Sequence, residues 1–252
     1  MNSKALIEAW RAGRQLDQPP TRLTTLEEGY DAQDAFIALT GEKRVGWKLG
    51  VGSPAAMRAA DAHRPLIGQL LASRCYALSE TVILPQLRPV TIEFEIVFVL
   101  GVDVAPDAQI VDPMSIVSAT HVGFEFVLSR FKDRRAVGQP AFASDNVGFE
   151  AFVLGPQIDP HSIADIVASV VVKADGAPPA HGLYGDEASD PVAALAHLLA
   201  HARERGVTLR RGDWVSTGAA AKPIDAASAE FDVSAHYVAQ TFSVHVASKE
   251  SQ

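Results

Sequence analysis

The chain reads as an α+β protein: a short helical N-terminal segment followed by a rolled, mixed or antiparallel β architecture. Three observations predict this. Helical periodicity framed by caps and breakers opens the chain; from about residue 66 short β-branched and aromatic runs recur between turn residues; and too few helices separate those runs for a doubly wound sheet. The 252 residues suffice for a full hydrophobic core. No internal repeat or low-complexity linker divides them, so the expected organisation is a helical segment over 1–44, acting as a lid or subunit contact, and a β-rich domain over 45–252.

Residues 3–16 place Leu6, Ile7, Trp10 and Leu16 on an incomplete apolar stripe, which Pro19-Pro20 ends. Thr25-Leu26-Glu27-Glu28 has the form of a helix start, continued by Tyr30, Ala35, Phe36 and Leu39 and closed by Gly41. A short strand over 45–49 then runs into Gly50-Val51-Gly52-Ser53-Pro54 and a helix. This turn is not a dinucleotide fingerprint, because Ala55 stands where the third glycine belongs, and it lacks the Lys-Ser/Thr ending of a phosphate loop. Strands are expected at 66–71, 81–84, 91–100, 124–128, 148–154, 166–173, 214–218 and within 229–246. A helix is expected near 112–121, and another opens at Asp190-Pro191 and closes at Arg205-Gly206.

A formal net charge of −8 with no Lys/Arg run argues against a nucleic-acid surface. The longest apolar runs are too short to span a bilayer, and the N-terminus, with Glu8 among its first residues, does not read as a secretory signal. Cys75 is the single cysteine, which excludes an internal disulfide and a Cys-rich zinc site. A cytoplasmic protein with no nucleic-acid or membrane partner is the expectation.

The chemistry centres on Thr91-Ile92-Glu93-Phe94-Glu95-Ile96-Val97-Phe98-Val99-Leu100. Strand side chains alternate between faces, so Glu93 and Glu95 emerge together while Ile92, Phe94 and Ile96 pack opposite. Two like charges on one side of a buried strand are costly unless a cation, a neighbouring arginine or solvent meets them. Glu125 repeats the theme inside Gly123-Phe124-Glu125-Phe126, far enough on to return on a neighbouring strand. Three converging carboxylates suit a hard divalent cation. Lys48, between Trp47 and Leu49, is either desolvated and useful in acid/base chemistry or a lysine snorkelling to the surface. His197 and His201 have zinc-like spacing, but Leu198 stands where a zinc protease needs Glu, and helix packing is the better reading.

Gly46-Trp47-Lys48-Leu49-Gly50 with Ser53-Pro54, Glu93-Phe94-Glu95-Ile96-Val97-Phe98-Val99-Leu100-Gly101, Glu125, Asp145-Asn146 and Gly212-Asp213-Trp214-Val215-Ser216-Thr217-Gly218 occur in an order that resembles the fumarylacetoacetate hydrolase superfamily. The resembling branch is 2-keto-4-pentenoate hydratase and 4-oxalocrotonate decarboxylase. The resemblance implies a mixed β-roll with a helical N-terminal segment, a Mg²⁺ or Mn²⁺ ion on Glu93, Glu95 and Glu125, and Lys48 as acid/base group. It places Thr217 and Gly218 at the substrate carboxylate or oxo end and Asn146 in the pocket wall. It further implies a homo-oligomer, open to association with a related catabolic enzyme, and a small 2-oxo or 2-hydroxy acid substrate. The activity implied is hydration of a short 2-hydroxy-2,4-dienoate in aromatic catabolism. The alternatives are 4-oxalocrotonate-type decarboxylation, acylpyruvate C–C hydrolysis, or a non-catalytic scaffold for an active relative. One departure stands out: Arg64-Pro65-Leu66 occupies the place of an acidic Glu-Pro-Asp-like segment.

Overall fold

A computed structural model describes residues 2–87 and 89–249. Helices α1 (Asn2–Arg11) and α2 (Leu26–Thr40) lead into β1 (Arg44–Gly50), α3 (Pro54–Ala59), β2 (Leu66–Leu71), β3 (Cys75–Tyr76), β4 (Val82–Leu84) and β5 (Val90–Leu100). Then follow β6 (Val117–Val127), α4 (Gln139–Ser144), β7 (Phe149–Ile158), α5 (Ile163–Ser169), β8 (Val171–Ala174) and β9 (Ala180–His181). The chain closes with α6 (Pro191–Arg205), β10 (Trp214–Ala219), β11 (Ile224–Ala226), β12 (Phe231–Tyr237) and β13 (Gln240–Ser248).

Two sheets form. The larger runs β2-β1-β10-β5-β6-β7-β3, with β11 paired to the start of β5; the smaller runs β4-β13-β12-β8-β9. Both are mixed: β1–β10, β3–β7 and β4–β13 are parallel, the remaining pairs antiparallel. The alternation read in the Glu93 strand is what layers the molecule. Phe94 and Phe124 leave the larger sheet towards the smaller one, where Phe124 stacks on Phe242 and Phe94 lies against Tyr237. On the opposite face Leu70, Val97, Phe149 and Phe152 join Leu6 and Phe36 in a second cluster under α1 and α2. The carboxylates of β5 stand on this second face, beside Val97.

Helix α2 begins with the expected capping box: Thr25 accepts from the Glu28 amide while the Glu28 carboxylate accepts from the Thr25 amide, and Gly41 ends it with φ 71°. Its Tyr30 and Gln33, together with Asn146 from the turn after α4, finish the outer edge of β2. Tyr30 Oη accepts from Ile67 N, Gln33 Nε2 donates to Ile67 O, and Asn146 bonds both N and O of Gln69. Every backbone group that Ile67 and Gln69 turn away from β1 thereby has a partner.

Three expectations about elements need correction. The first helix stops at Arg11, because Gly13 turns left-handed (φ 57°) and Leu16 pairs with Phe131 as a short bridge. The region 112–121 is a 3₁₀ turn, Pro113–Ile116, followed directly by β6; Asp112 and Pro113 supply a true helix start, but β-branched Val117, Thr120 and Val122 pair with β5 instead. The run 166–173 divides into the end of α5 and the start of β8. Among the described residues no helix is long and apolar enough to cross a membrane.

Candidate active site

Glu93 and Glu125 stand directly opposite one another across the β5–β6 pair, and Glu95 lies opposite Gly123. Glycine is required there, since a Cβ would come within 2.6 Å of the Phe152 ring. Carboxylate oxygens of the three glutamates all lie within 4.8 Å of one another. Glu95 and Glu125 are fully buried and Glu93 is half-buried. Three acids converge as the strand alternation implies.

Strand β10 supplies support. Its register against β5 shifts between Ser216 and Ala219, so the Ser216 side chain and the Gly218 amide reach one carboxylate. Ser216 Oγ donates to Glu95 Oε2, and Gly218 N donates to the same oxygen at 2.8 Å. Thr217 Oγ1 donates to Ile96 O at 2.8 Å. The structure thus directs the donors of Thr217 and Gly218 to the strand and to Glu95. Gly218 has φ 95°, and a Cβ there would lie 2.8 Å from Ser189 Oγ.

Among the described residues, Glu95 Oε1 and Glu125 Oε2 have no hydrogen-bond partner, and Glu125 Oε1 has only the ammonium of Lys48, at 2.9 Å. Burial pushes the Glu95 carboxyl well above its ordinary range, and the charges of Glu125 and Glu93 push it further. Glu125 is raised by burial, with Lys48 opposing and Glu93 reinforcing the shift. Orphaned, repelling carboxylate oxygens in one small space fit a divalent cation: an all-oxygen donor set suits Mg²⁺, Mn²⁺ or Ca²⁺, whose charge meets what one lysine cannot.

Lys48 is 2% exposed, not a snorkelling surface residue. Its neighbour on β2 is Gly68, and a Cβ at Gly68 would meet Lys48 Cγ at 2.8 Å and Cδ at 2.9 Å. The missing side chain is the slot along which the lysine stem runs. Nζ ends between Glu125 Oε1 and Val147 O, the latter at 3.1 Å. Leu66, opposite Gly50, lies on the same face of β2 as Gly68 and is buried, so the position that departs from the acidic pattern offers an apolar wall beside the lysine.

Asn146 comes within reach of this group through its backbone rather than its amide, which is spent on Gln69. Sequence reasoning missed Ser216, the Val147 carbonyl and the buried pair of Arg130 with Asp145. No spacing rule marks them: each is placed by register or by a turn. Burial raises Asp145 although Arg130 and Ser129 oppose it, and raises Glu150 although Arg74 and Arg130 oppose it. His201 is a packing residue, edge-on to Tyr30 and Trp47, and burial holds its imidazole down at about 4.

No protein-family model matches the chain. The chain is 31% identical over 183 residues to 2-keto-4-pentenoate hydratase from Burkholderia vietnamiensis, covering 71% of this chain and 69% of that protein. It is 29% identical over 241 residues to 2-hydroxyhexa-2,4-dienoate hydratase from Comamonas testosteroni, covering 90% of each. Its fold superposes on 4-oxalocrotonate decarboxylase from Pseudomonas putida G7, a structure complexed with magnesium and adipate, with TM-score 0.80 at 18% identity over 98% of this chain and 95% of that one. The expected β-roll is the observed fold, shared with solved proteins of the fumarylacetoacetate hydrolase family, and the chain belongs to the 2-keto-4-pentenoate hydratase family.

Proposed function

We propose that the chain is a divalent-metal-dependent carbon–oxygen lyase that adds water to a short 2-hydroxy-2,4-dienoate by way of its 2-oxo tautomer, in the breakdown of aromatic compounds. The observation that carries this is the orphaned carboxylate triad with a buried lysine at 2.9 Å from one member. Glu93, Glu95 and Glu125 would hold Mg²⁺ or Mn²⁺. A cation there supplies Lewis-acid stabilisation of negative charge developing on the C1 carboxylate and C2 oxygen of a 2-oxo acid.

The chain's own residues account for the proton movements. Ketonisation takes a proton from the C2 hydroxyl and places one on C5, leaving the C3=C4 double bond conjugated with the C2 carbonyl. Water then adds at C4, the β-carbon of that enone, and a proton arrives at C3, giving a 4-hydroxy-2-oxo acid. Lys48 is the basic side chain in contact with the triad and is shielded from bulk water, so it is the group that delivers and recovers these protons. Ser216 holds Glu95 fixed while Gly218 N donates to the same oxygen. Thr217 and Gly218 form the backbone wall where the oxo-acid end would lie, and Asn146 shapes the opposite side through the turn it opens.

Turnover of 2-hydroxypenta-2,4-dienoate by purified chain, with and without Mg²⁺, against 2-oxohex-3-enedioate as competitor, tests the reading. Mg²⁺-dependent consumption of the dienoate, lost by about 10²–10⁴-fold in Lys48→Met, is expected. Release of CO₂ from the enedioate without hydration of the dienoate would assign decarboxylation instead.

A further inference from the structure

Lys48 Nζ has two acceptors among the described residues, Glu125 Oε1 and Val147 O, and Val147 is an unusual place to find one. Asn146, Val147 and Gly148 all have positive φ, at 50°, 52° and 71°. Left-handed backbone is uncommon outside glycine and an outlier for a β-branched residue. Such a run persists only where its surroundings over-determine it, and here they do.

Arg130, 3% exposed, embraces the turn from both ends. Its Nε donates to Asp145 Oδ1 and its Nη2 to Asp145 O at the entry, while Nη1 donates to Phe149 O at 2.8 Å at the exit. The Arg130 backbone amide and Ser129 Oγ donate to Asp145 Oδ2 at 2.9 Å and 2.7 Å. Asn146 ties the middle to Gln69 on β2. Val147 Cγ1 then presses over Gly50, where a Cβ would lie 2.7 Å away. The result of this bracing is a single carbonyl aimed at the lysine.

We propose that Arg130 and Asp145 are positioning residues for proton transfer: through the left-handed turn they set the direction of the Lys48 ammonium. An ammonium carries three donors. With one on Glu125 and one on Val147 O, one remains for substrate, and its direction is fixed by the other two. Were the Val147 carbonyl to swing away, Nζ could pivot about Glu125 and the free donor would lose its aim. The inference rests on Lys48 being the proton carrier proposed above.

The test uses full-length chain and the variants Arg130→Lys, Asp145→Asn and Lys48→Met. Each is measured for Mg²⁺ affinity by calorimetry without substrate, for kcat and KM on 2-hydroxypenta-2,4-dienoate, and for deuterium exchange at C3 of 2-oxopentanoate in D₂O. Asp145→Asn is isosteric and stands in should Arg130→Lys not fold. In the positioning variants, kcat and exchange should fall together by about 10–100-fold, as misplacement of a catalytic group by an ångström does, while Mg²⁺ affinity and KM stay within about threefold of the unaltered chain. Exchange lost in Lys48→Met but intact in a folded positioning variant overturns this inference alone. Exchange that survives Lys48→Met overturns the lysine assignment and this inference with it. Mg²⁺ affinity falling in step with kcat reduces Arg130 and Asp145 to general scaffolding and also overturns it.

Discussion

Lys48 Nζ and Glu125 Oε1 sit 2.9 Å apart with the two side chains 2% and 0% exposed. An isolated ion pair at that depth gains little net stability, because desolvation offsets attraction. Here it neutralises one of three carboxylates, and among the described residues no second cationic side chain pairs with Glu93 or Glu95.

Glu95→Gln removes a charged oxygen donor while keeping shape and the bond from Ser216. Mg²⁺ affinity should drop by at least about 100-fold, the upper range seen even for groups one shell farther out, and turnover should go with it. Calorimetry of the variant checks this; full-stoichiometry binding at unaltered affinity would remove Glu95 from the ligand set.

The cation-free chain should lose stability as pH rises. Glu95 and Glu125 have folded-state pKa values raised above the ordinary 4.5. The folded chain therefore binds more protons than the unfolded one between those values, and stability is highest below the unfolded pKa and declines as pH climbs through the folded pKa. Added Mg²⁺, which favours the ionised form, should flatten or reverse that decline. Urea unfolding from about pH 5 to about pH 8, in chelator and in Mg²⁺, reads both slopes. Equal slopes in the two conditions and in Glu95→Gln would show that the triad does not control them.

Ser216→Ala should weaken Mg²⁺ binding by about 10–100-fold without abolishing it. The variant takes one of two donors from Glu95 Oε2 and leaves Gly218 N in place. A titration distinguishes this from Glu95→Gln by the binding that remains.

Gly68→Ala should separate packing from chemistry. The new methyl would overlap the Lys48 stem and stand 3.0 Å from Asn146 O. Overpacking of this kind costs about 1–3 kcal/mol of stability. A kcat loss of about 10-fold or more should accompany it as Lys48 is displaced, with Mg²⁺ affinity little changed, because the methyl touches no carboxylate. Retained kcat in a destabilised variant would show that the stem has room elsewhere.

The part of this site legible in the sequence is the part written in strand periodicity. Glu93, Glu95 and Glu125 announce themselves as charges in apolar runs, and alternation alone puts the first two on one face. Lys48 gains weight from its tryptophan and glycine neighbours. What stays hidden depends on three-dimensional register: Ser216 reaches Glu95 from its place opposite Val97, Gly218 N joins it where β10 slips against β5, and the Val147 carbonyl faces Lys48 where three residues turn left-handed under Arg130. The misread stretch 112–121 has a physical lesson of its own. Asp112 and Pro113 start a turn as local chemistry requires, but pairing along the whole length of β5 outweighs the local preference.

The finished edge of β2 bears on how copies of this chain can meet. An exposed strand ordinarily invites another strand to add to it. At Ile67 and Gln69 an incoming strand would have to evict Tyr30, Gln33 and Asn146 from their bonds. Asn146 also opens the turn whose Val147 carbonyl accepts from Lys48, so a strand added at β2 would disturb the lysine's setting as well. An assembly that leaves Lys48 as it stands is therefore built on another face of the chain.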